Sequence, residues 1–287
     1  MRIAHVIITY TSPLLTERMI RHMMHADFDF YIHVDSKKDF SAYAFLEKLP
    51  NVFFIKKRLD VRWAGFSTVE AVLNSVRQIL EAGKEYGYIN LLSGQGYPIK
   101  TAGEILAFYR QNAGKLFMKY DPFDEWTEAQ TRITRYHLVD YRFPGKYWVE
   151  KLINFLFPER KPPMPLKFYG RSMFWSLSPE SLRYVLKMHD QNPSLHRFFK
   201  FTWGSDEFFF QTILLNSSFA SQVVNMNCTY YDHKPHVPSP RVLVKEDFPD
   251  IEKSDKLYAR KFDMSVDTDV LDMIDAMLAK KKAAAGL

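Results

Sequence analysis

The feature that most constrains the fold is an alternation, over the first 120 residues, of short apolar runs with longer stretches of helical periodicity. The runs are rich in β-branched and aromatic side chains, which is typical of strands buried on both faces of a sheet. Strand and helix in strict alternation predict an α/β fold with a mainly parallel central sheet and flanking helices. The predicted strands are IAHVIITY, DFYIHVD, NVFFIKK, YINLLSG and KLFMKY, and the predicted helices are SPLLTERMIRHMMH, SAYAFLEKL, FSTVEAVLNSVRQILEAGKEYG and TAGEILAFYRQN.

Polar and aromatic residues stand where these strands end. Asp35, Trp63, Ser93 and Tyr120 all lie at or just after a strand end, and parallel sheets bind ligands at that edge. Beyond Asp121 the pattern loosens and charged and aromatic residues mix. The chain shows no repeat and no clear linker, so we predict a single domain with an elaborated second half. The elements predicted there are a strand, SMFWSLS, and helices in PESLRYVLKMHDQN, WGSDEFFFQTILLNS and DTDVLDMIDAMLAKKK.

Net charge and cysteine content limit the kinds of partner and the compartment that we expect for this protein. The net charge of +6 and the pI of about 9.1 suit a nucleic acid, a membrane lipid or a phosphorylated small ligand as partner. The 33 acidic residues are interspersed and no nucleic-acid-binding module is recognisable, so no nucleic-acid partner is expected. A single cysteine, Cys228, excludes an intrachain disulfide and favours a reducing compartment. The first apolar run is too short to span a membrane.

Several motifs that would indicate other chemistry are missing. The sequence has no GxxxxGK phosphate loop, no GxGxxG after the first strand and no Cys/His cluster at zinc spacing. His5 and His33 lie inside strands, where a lone histidine is more often a core group than a ligand. The DTD motif, Asp267–Asp269, opens a predicted helix, and helix capping by these residues is the stronger interpretation. Lysines fill the interior of Asp35–Asp39, so no metal site is predicted at either place.

An acidic pair stands at the start of a predicted helix in WGSDEFFFQTILLNS. Asp206 and Glu207 are followed directly by three phenylalanines. Carboxylates in the first helical turn are favoured by the helix dipole, so spacing alone favours two ordinary first-turn residues. The alternative is that one of them is a catalytic base, and the pattern by itself leaves that alternative open.

Six short motifs occur in a characteristic order between residues 3 and 263. In that order the chain resembles the core 2/I-branching β-1,6-N-acetylglucosaminyltransferases, glycosyltransferase family 14, which also includes the peptide O-xylosyltransferases. With one cysteine it resembles a bacterial-type member. Each motif is a short aromatic and glycine string, and the specificity lies in their order. The motifs are YIHVDSKKD, VRWAGFSTVEAVL, YINLLSGQGYPIK, GRSMFWSLSPESLRYVL, WGSDEFFFQTILLNS and LYARKFD.

The resemblance implies a GT-A-like fold, with residues 1–120 as a nucleotide-binding half and residues 121–287 as an acceptor-binding and catalytic half. It implies a UDP-sugar donor, inversion at the anomeric carbon and no metal cofactor, because a basic pair replaces the cation at the diphosphate. By position Arg241 and Lys261 match that pair, and Arg260 is a weaker candidate for the same role. Fixed cations would stabilise the charge that builds on departing UDP.

The resemblance also assigns the acidic pair. Glu207 matches the family's catalytic base, which takes the proton of the attacking acceptor hydroxyl. The phenylalanines behind Glu207 are expected to desolvate it. Asp206 is then expected to cap the helix or to support Glu207 from behind.

The resemblance also suggests residues that contact the donor and the acceptor. Asp35 lies near the family's uracil position, and Ser93 and Gly94 line its donor cleft. The family usually has an aspartate where this chain has Gly96, so the role of that acid is absent here or is supplied by another residue. On the acceptor side Tyr230 lies near a family aromatic that faces the sugar.

Trp126 is a second acceptor candidate, and Glu128 and Arg132 in the same variable region receive little weight.

We expect a cytoplasmic enzyme, peripheral on the inner membrane face, that transfers N-acetylglucosamine from UDP to a glycan or glycolipid. The alternatives are transfer of xylose and a non-catalytic glycan- or nucleotide-binding module on the same fold.

Overall fold

A computed structural model describes residues 1–232 and 240–284. Its core is a sheet of seven strands in the order β3-β2-β1-β4-β7-β6-β8, and a second sheet has the order β5-β10-β9. In the large sheet, β7 runs against its two neighbours and all the other strands share one direction. The strands are β1 Ile3–Thr9, β2 Phe28–Val34, β3 Val52–Phe54, β4 Tyr88–Ser93, β5 Gly96–Pro98, β6 Leu116–Pro122, β7 Tyr169–Leu177, β8 Val223–Asn225, β9 Thr229–Tyr230 and β10 Tyr258–Arg260.

The predicted α/β fold with a mainly parallel sheet is confirmed. Every residue of β2 and nearly every residue of β1 is buried, as expected for strands covered on both faces. The apolar core forms two clusters of buried side chains, and successive residues of β1 contribute to them alternately. The division of the chain into a nucleotide-binding and an acceptor-binding half stays a prediction.

Helices cover the sheet, and several begin where the sequence predicts. Ser12 accepts a hydrogen bond from the Leu15 amide at the start of α1, and Thr101 and Glu104 form a capping box at the start of α3. The helices are α1 Pro13–His22, α2 Phe66–Glu81, α3 Ala102–Gln111, α4 Gln130–Thr134, α5 Lys146–Leu156, α6 Pro179–Gln191, α7 Pro193–Lys200, α8 Phe209–Leu215, α9 Phe248–Lys253 and α10 Asp269–Ala284. No helix in the two described stretches is long and apolar enough to cross a membrane.

The capping interpretation of the DTD motif, Asp267–Asp269, is confirmed. The Asp267 carboxylate accepts hydrogen bonds from the amides of Val270, at the start of α10, and Lys245. The predicted helix SAYAFLEKL is only a 3-10 turn, Ala44–Lys48, because the proline at position 50 disfavours helical geometry at Leu49.

The second sheet was not predicted, since its strands are two or three residues long and carry no periodic signal. β10 pairs antiparallel with β5 and parallel with β9. The amide of Phe262 donates to the Gln95 carbonyl, which ties the segment after β10 to the segment after β4. This sheet therefore carries Arg260 to the carboxyl end of the parallel strands, where ligands of such folds bind.

Candidate active site

Glu207 lies in a 3-10 turn, Ser205–Glu207, directly before α8. One of its carboxylate oxygens, Oε2, accepts a hydrogen bond from Arg132 Nη1 at 2.6 Å. No residue within 1–232 or 240–284 donates a hydrogen bond to the other oxygen, Oε1, and 37% of the side chain is exposed. The carboxylate is thus held through one oxygen and open through the other, which is the arrangement that a base approached by a hydroxyl requires.

Arg132 is itself held by aromatic rings. Its guanidinium carbon lies 4.5 Å from the ring centroid of Trp126 and 4.4 Å from that of Trp203. Trp203 in turn packs edge-to-face against Trp63, with ring centroids 5.3 Å apart. A guanidinium between aromatic rings is attracted to their faces and loses conformational freedom. The side chains therefore fix Arg132, and Arg132 fixes Glu207.

Gly204 permits the close approach of Arg132. Its φ of +72° is left-handed, and a Cβ there would lie 3.1 Å from Arg132 Nη1. On the other side, a Cβ on Gly170 of β7 would lie 2.6 Å from the Glu207 carbonyl oxygen. Two glycines thus allow the backbone around Glu207 to pack between α4 and the central sheet.

The structure corrects two expectations for the acidic pair. The residue at the N-cap position of α8 is Phe208 and no side chain caps that helix, because Phe208 leaves helical geometry between the 3-10 turn and α8. Asp206 therefore does not cap it. The phenylalanines at 208–210 are buried in the apolar core, so they do not cover the Glu207 carboxylate. Burial, reinforced by the negative charge of Glu207, raises the pKa of Asp206 to about 7.

Arg260 is close enough to this acidic pair for their charges to interact. Its guanidinium stands 4.7 Å from the ring centroid of Phe174, and its buried Nε has no hydrogen-bond partner in the described parts of the chain. Burial lowers the pKa of Arg260, and the charges of Glu207 and Asp206 act in the opposite direction. A small crevice at the carboxyl end of β4 is lined by Ser93 and Arg260 among others. An under-coordinated guanidinium in a crevice is suited to bind an anion.

The strand-end residues predicted to bind the donor gather at one edge of the sheet. Asp35 follows β2 and Ser93 ends β4, on either side of β1. The chain at Gly94 approaches β1 so closely that a Cβ there would lie 2.3 Å from Thr9 Oγ1. The Asp35 carboxylate already accepts the amide of Lys37 at 2.9 Å and pairs with Lys37 Nζ at 2.8 Å.

The comparison with known proteins decides the family. A family profile described as Core-2/I-Branching enzyme matches residues 3–252, most of the chain. The chain belongs to the core-2/I-branching enzyme family. The resemblance predicted from the six ordered motifs is therefore confirmed.

Curated relatives of this core-2/I-branching chain include human xylosyltransferase 2, which is 26% identical over 302 residues, 96% of this chain and 33% of that protein. The xylosyltransferase oxt of Drosophila melanogaster is 25% identical over 91% of this chain and 31% of its own length. The chain thus spans about a third of the length of the curated relatives it matches.

Among solved structures, residues 1–349 of TarS from S. aureus match with a TM-score of 0.41 and 12% identity, over 78% of this chain and 57% of that one. Mouse xyloside xylosyltransferase 1 in its apo form matches with a TM-score of 0.36 and 14% identity, over 79% of this chain and 85% of that one.

The two cations expected to bind the diphosphate in a core-2/I-branching enzyme differ in how far nearby carboxylates already compensate their charge. Arg241 donates to Asp247 through both terminal nitrogens and to Asp232 through Nε at 2.5 Å, so its charge is compensated by two carboxylates. A direct role for Arg241 at a diphosphate would require these ion pairs to break. Lys261 Nζ forms no ion pair with the described residues, and its carbonyl accepts the amide of Leu243 at 2.8 Å. Lys261 and its neighbour Arg260 are therefore the cations whose charge no described carboxylate compensates through an ion pair.

The two residues predicted to bind the acceptor differ in their surroundings. Tyr230 is half-buried in β9, beside β10 and hence near Arg260. Trp126 is only 8% exposed, and its ring contacts the guanidinium groups of Arg132 and Arg171. In the described structure these cations occupy the ring face of Trp126, and its assignment to the acceptor stays a prediction. Trp126 also positions Arg132.

One group of three side chains in the described structure offers ligand atoms close enough to hold a metal ion, and its members lie on α2, α6 and α7. Glu70 Oε1 of α2 is 3.3 Å from His189 Nε2 of α6 and 3.2 Å from His196 Nε2 of α7. His189 Nδ1 also pairs with Asp190 at 2.7 Å. Burial opposes both charged forms, yet these hydrogen bonds raise the pKa of His189 and lower that of Glu70. The group therefore forms a self-sufficient ion pair joining three helices.

This ion pair predicts a pH-dependent contribution to stability. The raised pKa of His189 adds stability that is complete below its ordinary pKa of 6.5 and is lost as the pH rises through the native value. The lowered pKa of Glu70 adds stability that is present above 4.5 and is lost as the pH falls. Glu70→Gln should therefore cost about 1–3 kcal/mol of unfolding free energy at pH 6, and less at pH 8.5. Urea unfolding at both pH values measures it.

The matched control is Glu17→Gln, which breaks the more exposed pair of Glu17 with Arg21 on α1. Such pairs contribute about 0–1 kcal/mol, so this variant should show little loss. An equal loss for Glu70→Gln at both pH values would contradict the protonated-histidine interpretation.

Two site residues escaped the sequence analysis. Arg132 receives little weight from the sequence because it falls in a variable region, and its partner Glu207 lies 75 residues away in the chain. Trp203 was read only as the start of the WGSDE motif. Neither has a local signal, since both owe their role to the packing of α4 against the turn before α8; the dense aromatic content of these segments is the one available hint.

Proposed function

We propose that the chain is a glycosyltransferase that moves a sugar from a UDP-sugar to a hydroxyl of a glycan or glycolipid acceptor with inversion, on a GT-A-like fold. The observation that carries the proposal is the Glu207 carboxylate, fixed by Arg132 through Oε2 and open at Oε1, with the charge of Arg260 near enough to interact with it. Family membership supports the proposal, and the described relatives are named xylosyltransferases.

The proposed reaction is a single displacement. The acceptor oxygen attacks the anomeric carbon, the bond from that carbon to the diphosphate oxygen breaks, and UDP leaves with the bonding electron pair. The acceptor proton passes to Glu207 Oε1. Negative charge grows on the diphosphate, and Arg260 with Lys261 stabilises it through fixed positive charge. Asp35, Ser93 and Gly94 remain the proposed contacts of the nucleotide, and Tyr230 that of the acceptor.

The donor sugar has two candidates. N-acetylglucosamine follows from the branching members of the family, and xylose is favoured by the names of the relatives. A panel of UDP-sugars tests both, scored by UDP release and by thermal shift. The preferred donor at a hundred times its dissociation constant should add about 2.7 kcal/mol of stability. Binding without UDP release, with any acceptor in a broad glycan panel, would favour the non-catalytic binding module instead.

We further propose that no metal is needed. Arg260 and Lys261 would supply the charge that a divalent cation supplies in other transferases. UDP release should therefore remain within about twofold of its original rate after exhaustive treatment with a chelator, as measured against a chelator-free sample. Loss of turnover that manganese restores would contradict this proposal and would direct attention to Asp35–Asp39.

The compartment and partners complete the proposal. A single buried cysteine, Cys228, is compatible with a reducing compartment, and we propose the cytoplasm. The basic net charge suits a phosphorylated donor and the inner face of a membrane rather than a nucleic acid. Binding to random DNA, titrated with salt, tests the last point.

A further inference from the structure

Helix α5, Lys146–Leu156, is amphipathic, but its apolar side chains face outward instead of toward the protein core. None of its residues is buried, although most are apolar. Trp148 is 76% exposed and Phe155 is 84% exposed, values typical of surface lysines rather than of aromatic residues. Its exposed apolar side chains, with that of the residue that follows it, are Tyr147, Trp148, Val149, Leu152, Phe155, Leu156 and Phe157.

The polar side of α5 faces the protein. The Glu150 carboxylate accepts the amide of Leu138 at 2.8 Å. Asn154 donates to the Tyr136 carbonyl and accepts from the Tyr136 amide, each at 2.8 Å. These hydrogen bonds fix the rotation of the helix. A helix that faces water normally buries its apolar stripe and exposes its polar one, so α5 is built for an apolar surrounding on its outer side.

Lysine side chains lie beside the aromatic rings of this apolar face. Lys146 Nζ lies 5.0 Å from the ring centroid of Tyr147, and Lys151 Nζ lies 5.3 Å from that of Trp148. The segment 142–167 contains six basic and two acidic residues, and of the basic ones Arg160 is buried. Tryptophan and tyrosine prefer the headgroup level of a bilayer, and lysines extend from there to anionic lipid.

We propose that α5 lies in the interfacial plane of a bilayer containing anionic lipids, with Trp148 and Phe155 inserted among the acyl chains. The composition of the exposed face, apolar and aromatic with lysines at its edges, is that of interfacial helices. A second copy of the chain is a poorer occupant, because packing two such faces together would bring the lysines of both copies into proximity.

This position would place the candidate active site beside the membrane. The segment that holds α5, residues 135–141, follows directly on α4, which carries Arg132. The amide of Arg160, just beyond α5, donates to the Thr134 carbonyl at the end of α4. An acceptor attached to a lipid would therefore reach the Arg132–Glu207 pair without leaving the bilayer surface. This last consequence rests on the proposed function, whereas the binding itself does not.

Sedimentation with vesicles tests the proposal on the full chain without any substrate. Vesicles of phosphatidylglycerol mixed with phosphatidylcholine should sediment the wild-type protein, and phosphatidylcholine alone should sediment much less, because the lysines need an anionic surface. The double variant W148S/F155S should partition at least about tenfold more weakly. The control V266S/M273S, which removes two exposed apolar side chains near or on α10, should partition like wild type.

Two further measurements make the result decisive. W148F should still bind vesicles but lose most of the blue shift in tryptophan fluorescence that vesicles cause. Melting curves establish that the variants are folded. Equal partition of wild type and W148S/F155S, or no partition of wild type, would overturn the proposal. So would a wild-type dimer that W148S/F155S converts to a monomer while neither binds vesicles. UDP release from a soluble donor should not change in W148S/F155S, so the outcome is independent of the proposed reaction.

Discussion

Glu207→Gln should reduce sugar transfer by about two to four orders of magnitude, the usual contribution of a positioned general base. The amide keeps the shape of the side chain and can still accept the hydrogen bond from Arg132 Nη1 through its oxygen. Donor binding should be nearly unchanged, because the diphosphate is proposed to lie at Arg260 and Lys261. Steady-state rates of transfer and calorimetric titration with UDP measure the two effects separately.

Asp206→Asn is the matched control. Asp206 has a raised pKa of about 7, so its ionised form is unfavourable in the native state and costs stability as the pH rises from its ordinary value of 3.8 towards 7. Asn carries no charge, so this variant should be more stable than wild type at pH 8 and should lose less activity than Glu207→Gln. If Glu207→Gln transfers sugar near the wild-type rate, or if Asp206→Asn is the inactive variant, the roles within the pair are wrongly assigned.

Arg260→Met should lower the rate of transfer by about a hundredfold to a thousandfold, the usual cost of removing one fixed donor from a developing negative charge. Methionine retains an apolar stem over the ring of Phe174, so the loss reports on charge rather than on packing. UDP binding should weaken as well. Lys261→Ala should weaken UDP binding in the same direction, while Lys281→Ala on α10 should have no effect.

Arg241→Met separates this arrangement from the one expected by family position. Since Arg241 is paired with Asp232 and Asp247, its removal leaves two carboxylates unpaired and should lower the melting temperature. Its effect on the rate should be smaller than that of Arg260→Met. A larger effect of Arg241→Met on UDP binding, in a protein that is still folded, would return the diphosphate to Arg241.

The elements of the first half could be predicted because their signals are local. A strand buried on both faces must be apolar along its whole length, as β1 and β2 are, and each short run therefore carries its own evidence. Caps such as Ser12 and the Thr101 capping box mark helix starts through hydrogen bonds between residues three positions apart in the chain. The short strands β5, β9 and β10 carry no such signal, because two or three residues cannot show a period.

The candidate base was found in a different way from its partners. Spacing alone favoured two ordinary helix-start acids, and only the order of six motifs assigned Glu207. Its relation to Arg132, 75 residues away in the chain, follows from the packing of α4 against the turn before α8. The position of Arg260 depends on the pairing of β10 with β5, which no local pattern records.

The sequence by itself determined the α/β class and the mainly parallel arrangement of the strands, and its ordered motifs singled out Glu207 as the candidate base. Each of these depends on runs, caps or motifs contained in short segments. Tertiary structure alone decided which charges are free to act. Arg241 is compensated by two carboxylates and Arg260 is not, and a list of basic residues cannot distinguish them. Tertiary structure also decided which side of α5 faces outward. An amphipathic pattern is the same whichever side is buried, and only the hydrogen bonds of Glu150 and Asn154 turn its apolar side away from the protein.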